Sequence, residues 1–280
     1  MTNRKLAYIA KNHAPLVLDR NATVRHACQV MTEHRAGSVL VIDDALKLCG
    51  IFTGRDAVAA IAAGRDSENT RLAVVMTPNP VTLRPEERAI DALSAMSSGG
   101  FRHVPIVEDG TIIGVVSRGD FTGMEFEEFD WEAFYKATHT TANRQIASIV
   151  MGQTPLVLTT HDTAQDACRA MTERGSGSVL VVNAVGELSG IFTGRDAVIL
   201  SSQVADGAAT PLQIAMKHSP ITIGLRGTAI DALRLMSEGG FRHLPVVSDG
   251  KICGVISRSD FTGLEIDRLD EEVHLAECIW

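Results

Sequence analysis

Four short segments carry side chains able to hold a phosphorylated ligand: Thr53, Arg55 and Asp56; Ser117, Arg118 and Asp120; Thr193, Arg195 and Asp196; Ser257, Arg258 and Asp260. Each follows a glycine and two apolar residues, as in Gly50-Ile51-Phe52 and Gly114-Val115-Val116, giving the pattern G-h-h-[ST]-x-x-D with h apolar. A hydroxyl three residues before a carboxylate has a structural reading, the capping box, in which both side chains satisfy free N–H groups at a helix start. The arginine inside every copy opens a second reading. Beside a helix N-terminus, where unpaired N–H groups and the dipole already favour anions, a guanidinium adds the bidentate donors that suit a phosphate. A further basic element, Arg102-His103 and Arg242-His243, precedes two apolar runs, at a place where the other two runs have Gly37-Ser38 and Gly177-Ser178. It reads either as an exposed arginine with a histidine stacked under a turn, or as phosphate ligands whose histidine makes affinity pH-dependent near neutrality.

The elements that position these residues repeat. Residues 37–41 (GSVLV) recur at 177–181 and residues 50–58 (GIFTGRDAV) at 190–198, both 140 positions later, with no gap between the two halves. Each half divides again, because Gly50 to Asp56 corresponds to Gly114 to Asp120 and Gly190 to Asp196 corresponds to Gly254 to Asp260, at an offset of 64. Upstream, Val24, Ala27, Cys28 and Met31 stand at i, i+3, i+4, i+7, as do Ala89, Ala92, Leu93 and Met96, which predicts an amphipathic helix with one core face. Two short strands follow, over 39–42 and 104–107 in the first half, and the last helix of the unit begins just after the motif. The expected unit is therefore strand, helix, strand, strand, helix, an α/β arrangement repeated four times.

On these residues each unit resembles a cystathionine beta-synthase (CBS) domain, and the resemblance covers nearly the whole chain. It implies that units pair into Bateman modules, here 1–126 (units about 6–65 and 70–126) and 141–268 (units about 146–205 and 210–268), with a connector at 127–140 and a tail at 269–280. It implies that paired clefts hold an adenine nucleotide, AMP, ADP or ATP, as a regulatory ligand, and that the chain regulates instead of catalysing. By the same resemblance the motif aspartates accept both ribose hydroxyls, the Ser or Thr three residues earlier contacts ribose or phosphate, and Arg102-His103 and Arg242-His243 face phosphates. Adenine would lie against the residues leading into each first strand: Thr70, Leu72, Ala73 and Val74, and Thr210, Leu212 and Ile214. The counterparts Leu6 and Ile9 stand near a chain end expected to fray. Other ligands of the same chemistry, NAD and cyclic dinucleotides, stay open, whereas S-adenosylmethionine is disfavoured by an arginine at every site. An assembly protein with empty clefts is the alternative. No effector domain is left over, so an unknown protein effector would be regulated in trans, the modules closing within one chain or in a homodimer.

Composition narrows the rest. The chain has 280 residues, 45% hydrophobic and 21% charged, which suits a fold throughout its length. A formal charge of −8 argues against nucleic acid, whose binding draws on clustered Lys and Arg. No apolar run reaches the ~20 residues of a membrane span, and Arg4, Lys5 and Lys11 interrupt any signal-peptide core. Five widely spaced cysteines without a C-x-x-C point to reduced thiols and no metal site, hence to a cytoplasmic protein. There is no nucleophile elbow, no P-loop, and Gly175-Ser176-Gly177 lacks the rest of a dinucleotide fingerprint. The acidic, aromatic stretch 124–144, with Phe129, Trp131, Phe134 and Tyr135, reads as a helix over its own module or as a docking surface.

Overall fold

The computed structural model describes residues 3–11, 14–122, 124–126, 143–203, 207–261 and 265–266. The connector at 127–140, the tail at 269–280 and Cys278 lie outside the described residues. In the first unit, β1 (Val17–Asp19), α2 (Val24–Glu33), β2 (Ser38–Ile42), β3 (Leu48–Thr53) and α3 (Gly54–Ala62) follow the short helix α1 (Leu6–Ala10). Thr23 caps α2 by accepting from the His26 N–H at 3.2 Å, and the predicted face of Val24, Ala27, Cys28 and Met31 is buried. β1 pairs in parallel with β2, which pairs antiparallel with β3, and beyond α3 a helical turn α4 (Leu72–Val75) leads to β4 (Thr77–Pro78) on the far edge of β3. The third unit repeats this with α6 (Ile146–Val150) ahead of it, then β7 (Val157–Thr159), α7 (Ala164–Arg174), β8 (Ser178–Val182), β9 (Leu188–Thr193), α8 (Gly194–Gln203), α9 (Leu212–Ala215) and β10 (Lys217–His218).

The second and fourth units differ. Each has a helix, α5 (Ala89–Gly99) or α10 (Ala229–Gly239), ended by a left-handed glycine, Gly100 or Gly240. A hairpin follows, β5 (His103–Glu108) with β6 (Thr111–Ser117), or β11 (His243–Ser248) with β12 (Lys251–Ser257). The first strand expected in these units shrinks to a single parallel bridge, Leu83 to Ile106 and Ile223 to Val246. After the motif, the expected long helix is replaced by a three-residue 3-10 turn, Arg118–Asp120 or Arg258–Asp260, with residues 124–126 and 265–266 helical beyond it. The reason is local: Asp56 is followed by Ala57, Val58, Ala60 and Ile61, all buried along one helix, whereas Asp120 is followed by Phe121 in extended backbone and Thr122-Gly123.

Leading segments are exchanged between paired units. Leu6 and Ile9, expected at a fraying end, are 0% and 2% exposed in the core of the second unit, among Ala89, Leu93, Met96 and Val104. Leu72 is likewise fully buried, but in the first unit's core with Val24, Val39 and Phe52. The two halves then close on one another within the chain: α3 packs on α7 and α8, and α8 on α2, so that Val58 and Ile61 join the third unit's core and Val198 the first's. Gly54 and Gly194 meet at this crossing, where a Cβ on Gly54 would stand 3.3 Å from the Gly194 carbonyl oxygen. Side chains cap helix ends reciprocally across the seam. Arg25 and Gln29 donate to the carbonyls of Gln203 and Ser202, Arg169 donates to that of Ala62, and the Gln165 side-chain oxygen accepts from Arg169 and the Gly64 N–H. Phe126 packs against the cores of both the second and fourth units, joining the other ends of the halves.

Candidate functional site

The four hydroxyl–carboxylate pairs form the capping geometry that their spacing predicts. Asp56 Oδ2 accepts the Thr53 N–H and the Thr53 hydroxyl, both at 2.7 Å; Asp196 Oδ2 accepts those of Thr193 at 2.8 and 2.7 Å. In the shorter turns, Asp120 and Asp260 accept the N–H of Ser117 and Ser257, each at 2.6 Å. Burial raises the carboxyls of Asp56 and Asp196 above the ordinary aspartate range, against the pull of the threonine hydrogen bonds. Each strand end thus aims one carboxylate and one arginine past the start of a helix or 3-10 turn.

The arginines of all four turns share one electrostatic neighbourhood with Arg102 and Arg242. Arg102 is surrounded closely enough that desolvation lowers its pKa, and the positive charges of Arg242, Arg55 and Arg118 lower it further. Arg242 is lowered in the same way by desolvation and then by Arg195 and Arg258, with Asp120 of the first half acting oppositely. The approach across the halves is close: a Cβ on Gly119 would lie 3.9 Å from Nη2 of Arg242. Arg195 Nη1 donates to the Gly240 carbonyl at 2.9 Å, and the Arg118 guanidinium lies 5.1 Å over the Phe126 ring. Both Arg102 and Arg242 remain exposed, as side chains lining an open cleft do. Chemically, six arginines against four motif aspartates leave an excess of positive charge, which suits the oxygens of an anion.

The histidines stand otherwise than a neutral-pH switch requires. Burial first, then Arg242 and Arg102, pushes His103 down to about 4, and burial with Arg102 and Arg242 does the same to His243. Both imidazoles are neutral at pH 7 in the ligand-free chain, so neither carries positive charge to offer a phosphate there. Their position explains the glycines of the odd units: a Cβ on Gly37 would come within 2.6 Å of His103 Nε2, and one on Gly177 within 2.6 Å of His243 Nε2. Arg-His in the even units and Gly-Ser in the odd units are two sides of one contact.

Thr70, Ala73 and Thr210 are placed elsewhere than the second and fourth units' own strands. Thr70 and Thr210 offer their carbonyls to the first N–H groups of α2 and α7, from Val24 and Ala164, and the Ala73 N–H donates to Arg20. These segments belong to the odd units, and among the described residues no hydrogen bond ties them to the arginine cluster. Three further participants went unread in the sequence. The Thr77 hydroxyl donates to Asp56 Oδ1 at 3.0 Å. Arg4 and Arg144 each pair with a buried glutamate, Glu125 at 2.7 Å and Glu265 at 2.8 Å, and also donate to the backbone carbonyl of a motif aspartate, Asp120 or Asp260. The signal was present, since Arg4 and Arg144, like Glu125 and Glu265, are 140 positions apart. Among the described residues, no group of three or more His, Cys, Asp or Glu side chains could hold a metal ion, and no helix is long and apolar enough to cross a membrane.

Comparison with known proteins agrees with this architecture. The family model for the CBS domain matches four times, at residues 10–63, 72–124, 146–202 and 212–265. Among curated relatives, the CBS domain-containing protein CBSCBSPB2 of Arabidopsis thaliana is 31% identical over 259 residues, covering 82% of this chain and 48% of the relative. The meiotically up-regulated gene 70 protein of Schizosaccharomyces pombe is 26% identical over 299 residues, covering 86% of this chain and 41% of the relative. The chain spans about half the length of the curated relatives it matches. Among solved structures, protein MJ1225 of Methanocaldococcus jannaschii superposes with a TM-score of 0.72 at 21% identity, covering 94% of this chain and 99% of that one. With four family matches lying on the four repeats, and with their turns gathered about one cationic centre, the chain belongs to the CBS domain family.

Proposed function

We propose that this protein is a regulatory sensor of adenosine phosphates, AMP, ADP or ATP, bound in the clefts between paired units. The observation that carries the reading is the arginine centre, to which Arg55, Arg102, Arg118, Arg195, Arg242 and Arg258 all contribute from four motif turns and two strand starts. In this reading a motif aspartate holds the ribose hydroxyls, its neighbouring Ser or Thr and Arg hold phosphate, and Thr70, Ala73 and Thr210 flank the base. The modules are 1–126 and 141–268, and the ligand changes how they fit together or how a protein effector docks in trans. No catalytic constellation is invoked. The competing reading, an assembly protein with empty clefts, has to explain why six arginines gather beside only the four motif aspartates.

A thermal-shift panel decides between these readings, because a ligand bound only by the native state adds RT ln(1 + [L]/Kd), about 2.7 kcal/mol at a hundredfold excess over Kd. An upward shift with adenosine phosphates, larger than with S-adenosylmethionine, supports the sensor. No shift with any phosphorylated adenosine compound, NAD and cyclic dinucleotides included, leaves the assembly reading standing.

A further inference from the structure

The duplication makes the first and third units near copies, yet their motif carboxylates are not equally committed. Asp56 accepts three donors from neighbouring residues: the Thr53 N–H, the Thr53 hydroxyl and, on its other oxygen, the Thr77 hydroxyl. Asp196 accepts two, the N–H and hydroxyl of Thr193. A carboxylate offers about four lone-pair sites, so Asp56, with Thr77 on Oδ1, keeps one position open, whereas Asp196 keeps two, both on Oδ1. The difference traces to one residue. Thr77 pairs with Ile51 on the edge of β3, and Lys217 occupies the same register against Ile191 on β9. Lys217 has no acceptor-seeking hydroxyl to place on Asp196, and the side-chain hydrogen bond to that carboxylate among the described residues comes from Thr193 alone.

A diol that docks on these carboxylates therefore meets different competition. At Asp196 both hydroxyls can take open positions on Oδ1 directly. At Asp56 one can, and the second has first to displace Thr77, whose hydroxyl then turns to water. We propose that Thr77 acts as an internal competitor for the ligand's hydroxyl groups, making the first-unit cleft the weaker of the two duplicated clefts, so that the third-unit cleft fills first. The inference rests on the sensor reading above and deepens it: with two clefts of unequal affinity, one chain responds over a wider range of nucleotide concentration than two equal clefts would.

The test is calorimetric titration of AMP into the full-length chain, with three of the four motif aspartates changed to Asn so that one cleft reports at a time. The third-unit cleft is expected to bind about three- to tenfold more tightly than the first, the scale of displacing one hydrogen bond to a charged group that water partly replaces. Thr77→Val should strengthen the first-unit cleft by that factor, Thr77→Ser should leave it as it is, and Lys217→Thr should weaken the third. Thr77 is exposed and its strand pairing is made by backbone, so these variants are expected to fold, and the wild-type chain titrated with Thr77→Val as the sole change gives the same comparison. Equal affinities in the two clefts, or a first-unit cleft weakened by Thr77→Val, would overturn the inference, the latter because it makes the hydroxyl a ligand contact. Binding that ignores Thr77 defeats this inference alone, whereas absence of binding in every cleft defeats the sensor reading with it.

Discussion

At the scale of single residues, charge state follows from what each group was brought against. His103 and His243 are held neutral down to about 4 because they are buried and flanked by Arg102 and Arg242. An unfolded histidine titrates near 6.5, so below that value the unfolded chain binds protons that the folded chain refuses. Their contribution to stability is fully present above 6.5 and is lost as pH falls from 6.5 through about 4. Over that window the two together are worth on the order of a few kcal/mol at most, discounted because neither ring is fully enclosed. Asp56 and Asp196, whose carboxyls burial raises, contribute the opposite slope at the acid end, so the melting curve alone mixes the two. Imidazole chemical shifts followed by NMR separate them: both rings should stay neutral at pH 5, and a titration near 6.5 would mean that neither is packed as described. The motif spacing and its arginines were legible in the sequence, as was the Arg-His element. The sign of the histidine shift was not, because it depends on Gly37, Gly177 and an arginine from the other half of the chain.

At the scale of elements, helix α2 and the strand pairs follow from apolar spacing, and in every copy of the motif the aspartate accepts the N–H of the Ser or Thr three residues earlier. What periodicity could not supply was the destination of the short leading helices. Leu72 is an apolar residue in a four-residue turn, and nothing in its neighbours says that it completes the first unit and not the second. The exchange makes a prediction: Leu72→Ala should cost about 2–5 kcal/mol by leaving a cavity, and the loss should appear in amide exchange of β2 and α2 ahead of β5 and β6. Protection lost first in β5 and β6 would place Leu72 in the wrong core. The exchange also ties the motif turns of the second and fourth units to the segments that lead into them. Arg4, at the start of the chain, grips both Glu125 and the Asp120 carbonyl, giving the three-residue turn of the second unit an anchor that α3 gives the first by its own length.

At the scale of the whole molecule, the proposed sensor makes the arginine centre a cost carried in anticipation of an anion. Arg102 and Arg242 come from opposite halves, and Arg102 is disfavoured by the charge of Arg242, which is itself disfavoured by Arg195 and Arg258. Replacing one should relieve repulsion in the ligand-free chain while removing a phosphate partner, the usual opposition of stability and function at a site. Arg242→Gln is therefore expected to raise the melting temperature of the ligand-free protein by a degree or two, corresponding to roughly 0.5 kcal/mol or less, and to shrink the shift produced by AMP. A variant that melts lower without ligand would show that Arg242 is held by contacts more favourable than the repulsion. At equivalent positions on the seam Arg25 and Gln165 exchange types, as do Gln29 and Arg169, so that each helix end meets one arginine and one glutamine from the other half.

The sequence by itself determined the repeat, the unit, the pairing of hydroxyl with carboxylate and the presence of an arginine in every turn, because all of these are written at fixed short spacing. Packing set which unit each leading segment completes, closed the two halves on each other within one chain, and brought six arginines distant in sequence into one electrostatic neighbourhood. It also decided that Asp56 and Asp196, identical in local sequence, differ in hydrogen-bonding capacity through Thr77, a residue 21 positions downstream on another strand. The physical reason is the same in each case. Spacing along the chain fixes which face of an element a side chain occupies, whereas burial, charge and hydrogen-bond competition depend on what other elements bring to that face.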